Sequence, residues 1–206
     1  AAAVDERLAR HGRNTVPART ALDRNGLLDL FVRKAEAVSA TVDRVASADD
    51  VPEAIARYLK ERNLPAAVKR APEALLDRLP WERTPMLEVA VGAPDGSEAT
   101  GVTGAFAAVA ETGTLAFASG PGHPSTLAFL PETHIVVLEA DRVVGPYEDV
   151  WDRLRADGGP AAMPRTLNLV TGPSRTGDIE QTILLGAHGP RRLHIVLVED
   201  GTADAD

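Results

Sequence analysis

Two glycine-rich turns carry the side chains best suited to chemistry. The first lies in TGPSRTGDIEQTI at residues 171–183, where the apolar Leu167, Leu169 and Val170 meet glycines, a proline and hydroxyls. The pattern beyond it predicts a helix from Gly177 to about Ala187, capped by Thr176. The first-turn N–H groups of such a helix are unpaired donors, and its dipole favours an anion. Gly172, Ser174, Arg175, Thr176, Gly177 and Asp178 are therefore candidate ligand-binding residues. Asp178 and Glu180 fall in the same turn and repel a multiply charged phosphate, so a small carboxylate held by Arg175 fits better. The alternative is a structural turn that caps itself. Neither GxxxxGK nor GxGxxG is present.

The second turn lies in VAETGTLAFASGPGHPS. Glu111 sits beside a glycine between two apolar runs, and burial there would raise its pKa toward acid–base or nucleophilic use. The alternative is an exposed hairpin tip. Gly120 and Gly122 shape a flexible segment around His123, the histidine best placed for proton transfer. Ser125 is outside a GxSxG elbow, which argues against a hydrolase triad. His134 and His194 belong to apolar runs and read as packed residues. No histidine pair has the i, i+4 spacing of a helical zinc site, so no metal site is expected.

The elements that must position these residues alternate. A short helix over 4–11 and a linker over 12–25 precede a helix starting at Gly26, with Leu27, Phe31, Val38, Val42 and Val45 at helical spacing. VPEAIARYL is a second helix, LPAAVKR a strand, APEALLDRLP a short helix and MLEVAVGA a strand. Residues 105–110 and 114–118 form a hairpin, residues 134–139 a strand and residues 147–155 an amphipathic helix. A strand–helix–strand crossover ends the chain, through residues 166–170, 177–187 and 193–198. This organisation predicts an α/β fold with a mostly parallel sheet over residues 26–200 and an acidic tail at 201–206.

Composition removes several classes of function. The formal charge is −8 and aromatics are 4% of the 206 residues, so neither the basic surface nor the base-stacking platform of a nucleic-acid partner is expected, and no nucleic acid is expected as a general partner. No apolar stretch reaches the roughly 18 residues of a membrane span, and the N-terminal residues lack a secretory h-region, which reads as cytoplasmic. There is no cysteine, which excludes thiol catalysis, disulfides and iron–sulfur ligation by this chain.

AETGTLAF, SGPG, LPETHIVVL and TGPSRTGDIEQTILLGAHGPRRLHIVLV, in that order, resemble the lactate utilization protein C family, or LUD domain. The resemblance runs from about Gly26 to Val198. It implies a three-layer α/β/α fold similar to the group of ribose-phosphate isomerases, glucosamine-phosphate deaminases and CoA-transferases. It also implies a part in oxidising L-lactate to pyruvate in an iron–sulfur system. Clusters are then expected on cysteine-rich partner subunits, with none bound here, and this chain serves as an accessory or substrate-handling subunit. The alternative is a stand-alone enzyme acting on a phosphorylated, CoA-linked or folate-like substrate. Glu111, Ser174, Arg175 and Asp178 fall on the family's motif positions, although the family supplies no settled catalytic role for them.

Overall fold

Strands β7 (Thr133–Glu139) and β12 (Arg192–Val198) are apolar at most positions and buried along most of their length. A strand covered on both faces requires this pattern. The computed structural model describes Val4, Glu6, Arg10 and residues 12–158, 163–179, 182–186 and 188–199. The two strands pair inside a six-stranded sheet with the order β1 (Thr41–Val45), β12, β7, β4 (Thr100–Gly104), β2 (Ala67–Arg70), β3 (Glu88–Val91). Every pairing in it is parallel.

Helices α2 (Val51–Glu61) and α3 (Ala74–Asp77) cover one face. Their Val51, Ile55, Leu59 and Leu76 join a core with Val102, Ile135, Val137 and Val196. Helix α1 (Arg24–Ala37) covers the other face, with Leu28, Phe31 and Ala35 in one cluster with Val136, Leu138, Ile195 and Leu197. Each fully buried Leu, Ile or Phe contributes about 1.5–3 kcal/mol.

That second covering layer also holds a small sheet, ordered β8 (Val143–Val144), β5 (Ala107–Val109), β6 (Thr114–Ala118), β9 (Leu167–Thr171). Helix α4 (Tyr147–Gly158) packs on it through Val150 and Leu154. The expected α/β architecture with a parallel sheet is present, with this extra sheet as an addition. Among the described residues no helix is long and apolar enough to cross a membrane.

Two expected elements are corrected. The helix starting near Gly26 does not run to Val45. It stops at Ala37, Ser39 turns the chain at φ +72°, and β1 begins at Thr41. Val42 and Val45 pack in opposite core clusters, as strand residues an odd number apart must.

The helix expected at residues 177–187 is absent among the described residues. Strands β10 (Arg175–Ile179) and β11 (Thr182–Leu185) pair antiparallel there, with an irregular register between Thr176 and Ile179. β-Branched Thr176, Ile179, Thr182 and Ile183 favour this hairpin over a helix. Glu180, Gln181, Ala187 and the tail at 201–206 lie outside the described residues.

Candidate functional site

Strands β2 and β4 are neighbours, but the chain leaves their carboxyl ends in opposite directions. From β2 it passes through α3 to β3 on the sheet edge. From β4 it crosses to the small sheet and then to β7. A reversal of this kind opens a crevice at the strand ends, where open α/β sheets bind ligands.

Glu73 sits in that crevice, in extended backbone directly before α3, and is 6% exposed. Its Oε2 accepts the N–H of Gly104, the last residue of β4, at 3.0 Å. Its Oε1 lies 3.0 Å from His123 Nδ1. Gly104 is required by this contact, because a Cβ there would stand 2.5 Å from Glu73 Oε2.

The glycine segment around His123 closes onto the same place. His123 N donates to Gly120 O at 3.0 Å, and a Cβ on Gly122 would lie 3.1 Å from Pro72 O. Gly120 and Gly122 thus shape and seat the turn that brings His123 to Glu73. The hydrogen bond from His123 Nδ1–H to the Glu73 carboxylate pushes the His123 pKa up, against the opposing effect of burial.

A cleft of about 250 Å³ opens beside the pair. Thr103, Phe106, Phe117, Ser125, Glu139 and Arg142 also line it. Arg78 donates to Glu139 Oε1, and Arg142 Nε stands 3.7 Å from Glu139 Oε2. With a carboxylate on Nδ1–H, the imidazole of His123 keeps Nε2 available to take or give a proton. The cleft therefore combines a positioned acid–base group, a hydroxyl and a guanidinium.

The other residues singled out from sequence lie elsewhere. Glu111 lies in the β5–β6 turn, is not among the residues lining this cleft, and accepts from Arg19 at 2.7 Å. Gly172 adopts φ +75° with its backbone against Val38, so that a Cβ would collide with Val38 O. Arg175 donates to Val38 O and, at 2.7 Å, to Ser39 Oγ. Ser174 is held through its backbone, its N–H on Pro190 O at 2.8 Å and its O receiving Gly186 N at 2.9 Å.

Thr176, Gly177 and Asp178 are strand residues of β10. The helix-terminus cradle expected from the sequence is overturned, because the donors of a first helical turn do not exist in a hairpin.

Glu73 was not among the sequence candidates. Its signal was an acid directly after a strand and an Ala-Pro pair, at the strand end where α/β sites form. Glu139 and Arg142 carry the equivalent signal at the end of β7.

The sequence supplies no thiolate, and among the described residues no group of three or more His, Asp or Glu is placed to hold a metal.

The fold and cleft define an α/β protein whose candidate site sits at the carboxyl ends of a parallel sheet. The LUD domain family matches residues 28–198, and the chain belongs to that family. A DUF162 family protein from Deinococcus radiodurans shares the fold, with TM-score 0.64 and 23% identity over 86% of this chain and 99% of that one.

Lactate utilization protein C of Exiguobacterium sp. is 35% identical over 101 residues, 48% of this chain and 44% of the relative. The Bacillus subtilis protein of the same name is 30% identical over 101 residues, 48% and 42% of the two chains. An uncharacterized protein of Neisseria meningitidis serogroup B is 35% identical over 109 residues, 52% of this chain and 45% of that one. The chain spans less than half the length of these curated relatives.

Proposed function

We propose that this chain is the cluster-free, substrate-handling component of a cytoplasmic iron–sulfur-dependent L-lactate utilization system. The observation that carries the reading is the buried Glu73 carboxylate paired with His123 at a cleft that also presents Arg142. The relatives named lactate utilization protein C supply the substrate class.

In this reading Arg142 meets the carboxylate of lactate or pyruvate, and His123 Nε2 exchanges the proton of the 2-hydroxyl. Glu73 holds the imidazole in the required tautomer and favours the imidazolium that forms. The apolar wall of Phe106 and Phe117 limits water around the bound acid. Redox centres are assigned to cysteine-rich iron–sulfur partner subunits, because this sequence offers no thiolate.

Calorimetry with L-lactate and pyruvate on the chain alone, and anaerobic co-expression with its chromosomal neighbours, test the proposal. Expected are binding lost in Arg142→Ala, co-purification with cysteine-rich chains, and lactate oxidation by the assembly alone. Oxidation by the isolated chain, or neither acid binding nor a partner, would overturn it.

A second reading rests on the same pair, since a buried carboxylate holding an imidazole is a complete acid–base unit. It is a stand-alone enzyme for a phosphorylated, CoA-linked or folate-like substrate. A thermal-shift panel of those ligands decides, and a flat panel removes it.

A further inference from the structure

A second cavity, of about 180 Å³, lies near the amino-terminal ends of β7 and β12. At ~30 Å³ per molecule that is the space of about six waters. Phe129, Val170, Pro173 and Leu193 give it mainly apolar walls, to which Ser174 and His188 add polar groups, and His134 lines it as well. None of these residues has a part in the Glu73–His123 pair.

His134 is 1% exposed, and burial pushes its pKa down to about 3, so the ring is neutral near neutral pH. Its Nε2 is hydrogen-bonded to Thr103 Oγ1 at 2.8 Å, and Thr103 lines the neighbouring cleft rather than this cavity. Among the described residues Nδ1 has no hydrogen-bond partner.

A threonine hydroxyl both donates and accepts. When it donates to Nε2, the ring proton sits on Nδ1, which becomes a donor. When it accepts from Nε2–H, Nδ1 is an acceptor. A hydroxyl rotation coupled to a tautomer change therefore switches the unpartnered nitrogen between the two roles without any change in charge.

We propose that this cavity binds a compact, uncharged molecule carrying one hydroxyl or carbonyl group. That group bonds to His134 Nδ1, and the rest of the ligand contacts the apolar walls. The two tautomers suit both members of an alcohol–ketone pair. At His134 a carboxylate gains one hydrogen bond and no countercharge, because that ring is neutral, and burying an unpaired anion is strongly unfavourable. This site stands independently of the lactate reading of the cleft.

The test is an NMR titration of the full chain with 2-butanol, 2-butanone and sodium butyrate. Backbone amides of Phe129, His134 and Gly189 and the ring nitrogens of His134 are followed. Both neutral probes are expected to shift those amides saturably, butyrate is not, and butanone is expected to drive His134 to the Nδ1–H tautomer. Val170→Phe fills the cavity from its wall and should lose the neutral-probe shifts. Thr103→Val, changed outside the cavity, should retain binding and lose the tautomer response. No shift with either neutral probe in the wild type, equal binding of butyrate, or unaltered binding in folded Val170→Phe overturns the proposal.

Discussion

Glu73 Oε1 lies 3.0 Å from His123 Nδ1, and the second oxygen of the same carboxylate takes the N–H of Gly104. One side chain thus joins the exit of β2, the end of β4 and the glycine turn that follows β6. These segments are far apart in sequence, and nothing local holds them together.

The first prediction concerns pH. Glu73 raises the His123 pKa above the ordinary 6.5, so above that value the folded state binds more protons than the unfolded one. The stabilisation is then fully present below pH 6.5 and disappears as pH rises through the raised folded pKa. His123 is 55% exposed, and solvent screening keeps the effect small. The urea midpoint is expected to fall slightly as pH increases from 6.5, with this slope missing in Glu73→Gln. An unchanged His123 titration in that variant, followed by NMR, would show that Glu73 does not hold the ring.

Gly104→Ala should damage the same unit without replacing either titratable side chain. Its Cβ would stand 2.5 Å from Glu73 Oε2 and 3.3 Å from Leu75 Cδ2. The carboxylate must move, and forced overpacking of a buried site costs about 1–3 kcal/mol. Chemical denaturation should report that loss, and His123 should titrate lower than in the wild type. Wild-type stability together with a wild-type His123 pKa would mean that the backbone absorbs the methyl group.

Much of the scaffold was legible because β7 and β12 are continuous apolar runs, a pattern that long-range packing reinforces. The β5–β6 hairpin announced itself through Glu111-Thr112-Gly113. What misled were segments whose periodicity fits two structures. Val42 and Val45 suit a helix stripe, yet Ser39 turns the chain without a glycine to mark it. Ile179, Ile183 and Leu184 mimic an amphipathic helix, whereas Thr176 and Leu184 face each other across two strands. The site was half legible: His123 stood out as a histidine between glycines. Glu73 did not, since its role comes from a neighbouring strand that sequence order does not bring near.

Arg175 illustrates the cost of that ambiguity. The anion cradle would make Arg175→Ala a binding defect, but the guanidinium ties β10 to Val38 O and Ser39 Oγ at the end of α1. The variant is now expected to lose about 1 kcal/mol of stability, the net worth of an ordinary hydrogen-bonded contact. Carboxylate binding in the Arg142 cleft should be unaffected. Thermal unfolding beside lactate calorimetry separates the two roles, and lost binding with unchanged stability would restore the ligand role.

The last prediction is acid sensitivity from two histidines buried neutral. His194 stacks on Tyr58 with ring centroids 3.8 Å apart, and its Nδ1 is bonded to Thr41 Oγ1 at 2.8 Å. Its Nε2 is buried without a partner among the described residues. Burial pushes its pKa down to about 4, with the positive charges of Arg62 and Arg57 adding to the effect and Asp43 opposing it. Burial alone takes His134 to about 3. Both folded values lie below the unfolded 6.5, so the unfolded state binds more protons as pH falls below 6.5. Stability is therefore fully present above pH 6.5 and declines toward pH 4. Each histidine adds a limiting slope of about 1.4 kcal/mol per pH unit. His194→Phe keeps an aromatic ring against Tyr58 and removes one titrating group. Urea unfolding of that variant across the acid range should show the slope reduced by about one proton. An identical slope in both proteins would mean that His194 does not enter the unfolding equilibrium as a buried neutral ring.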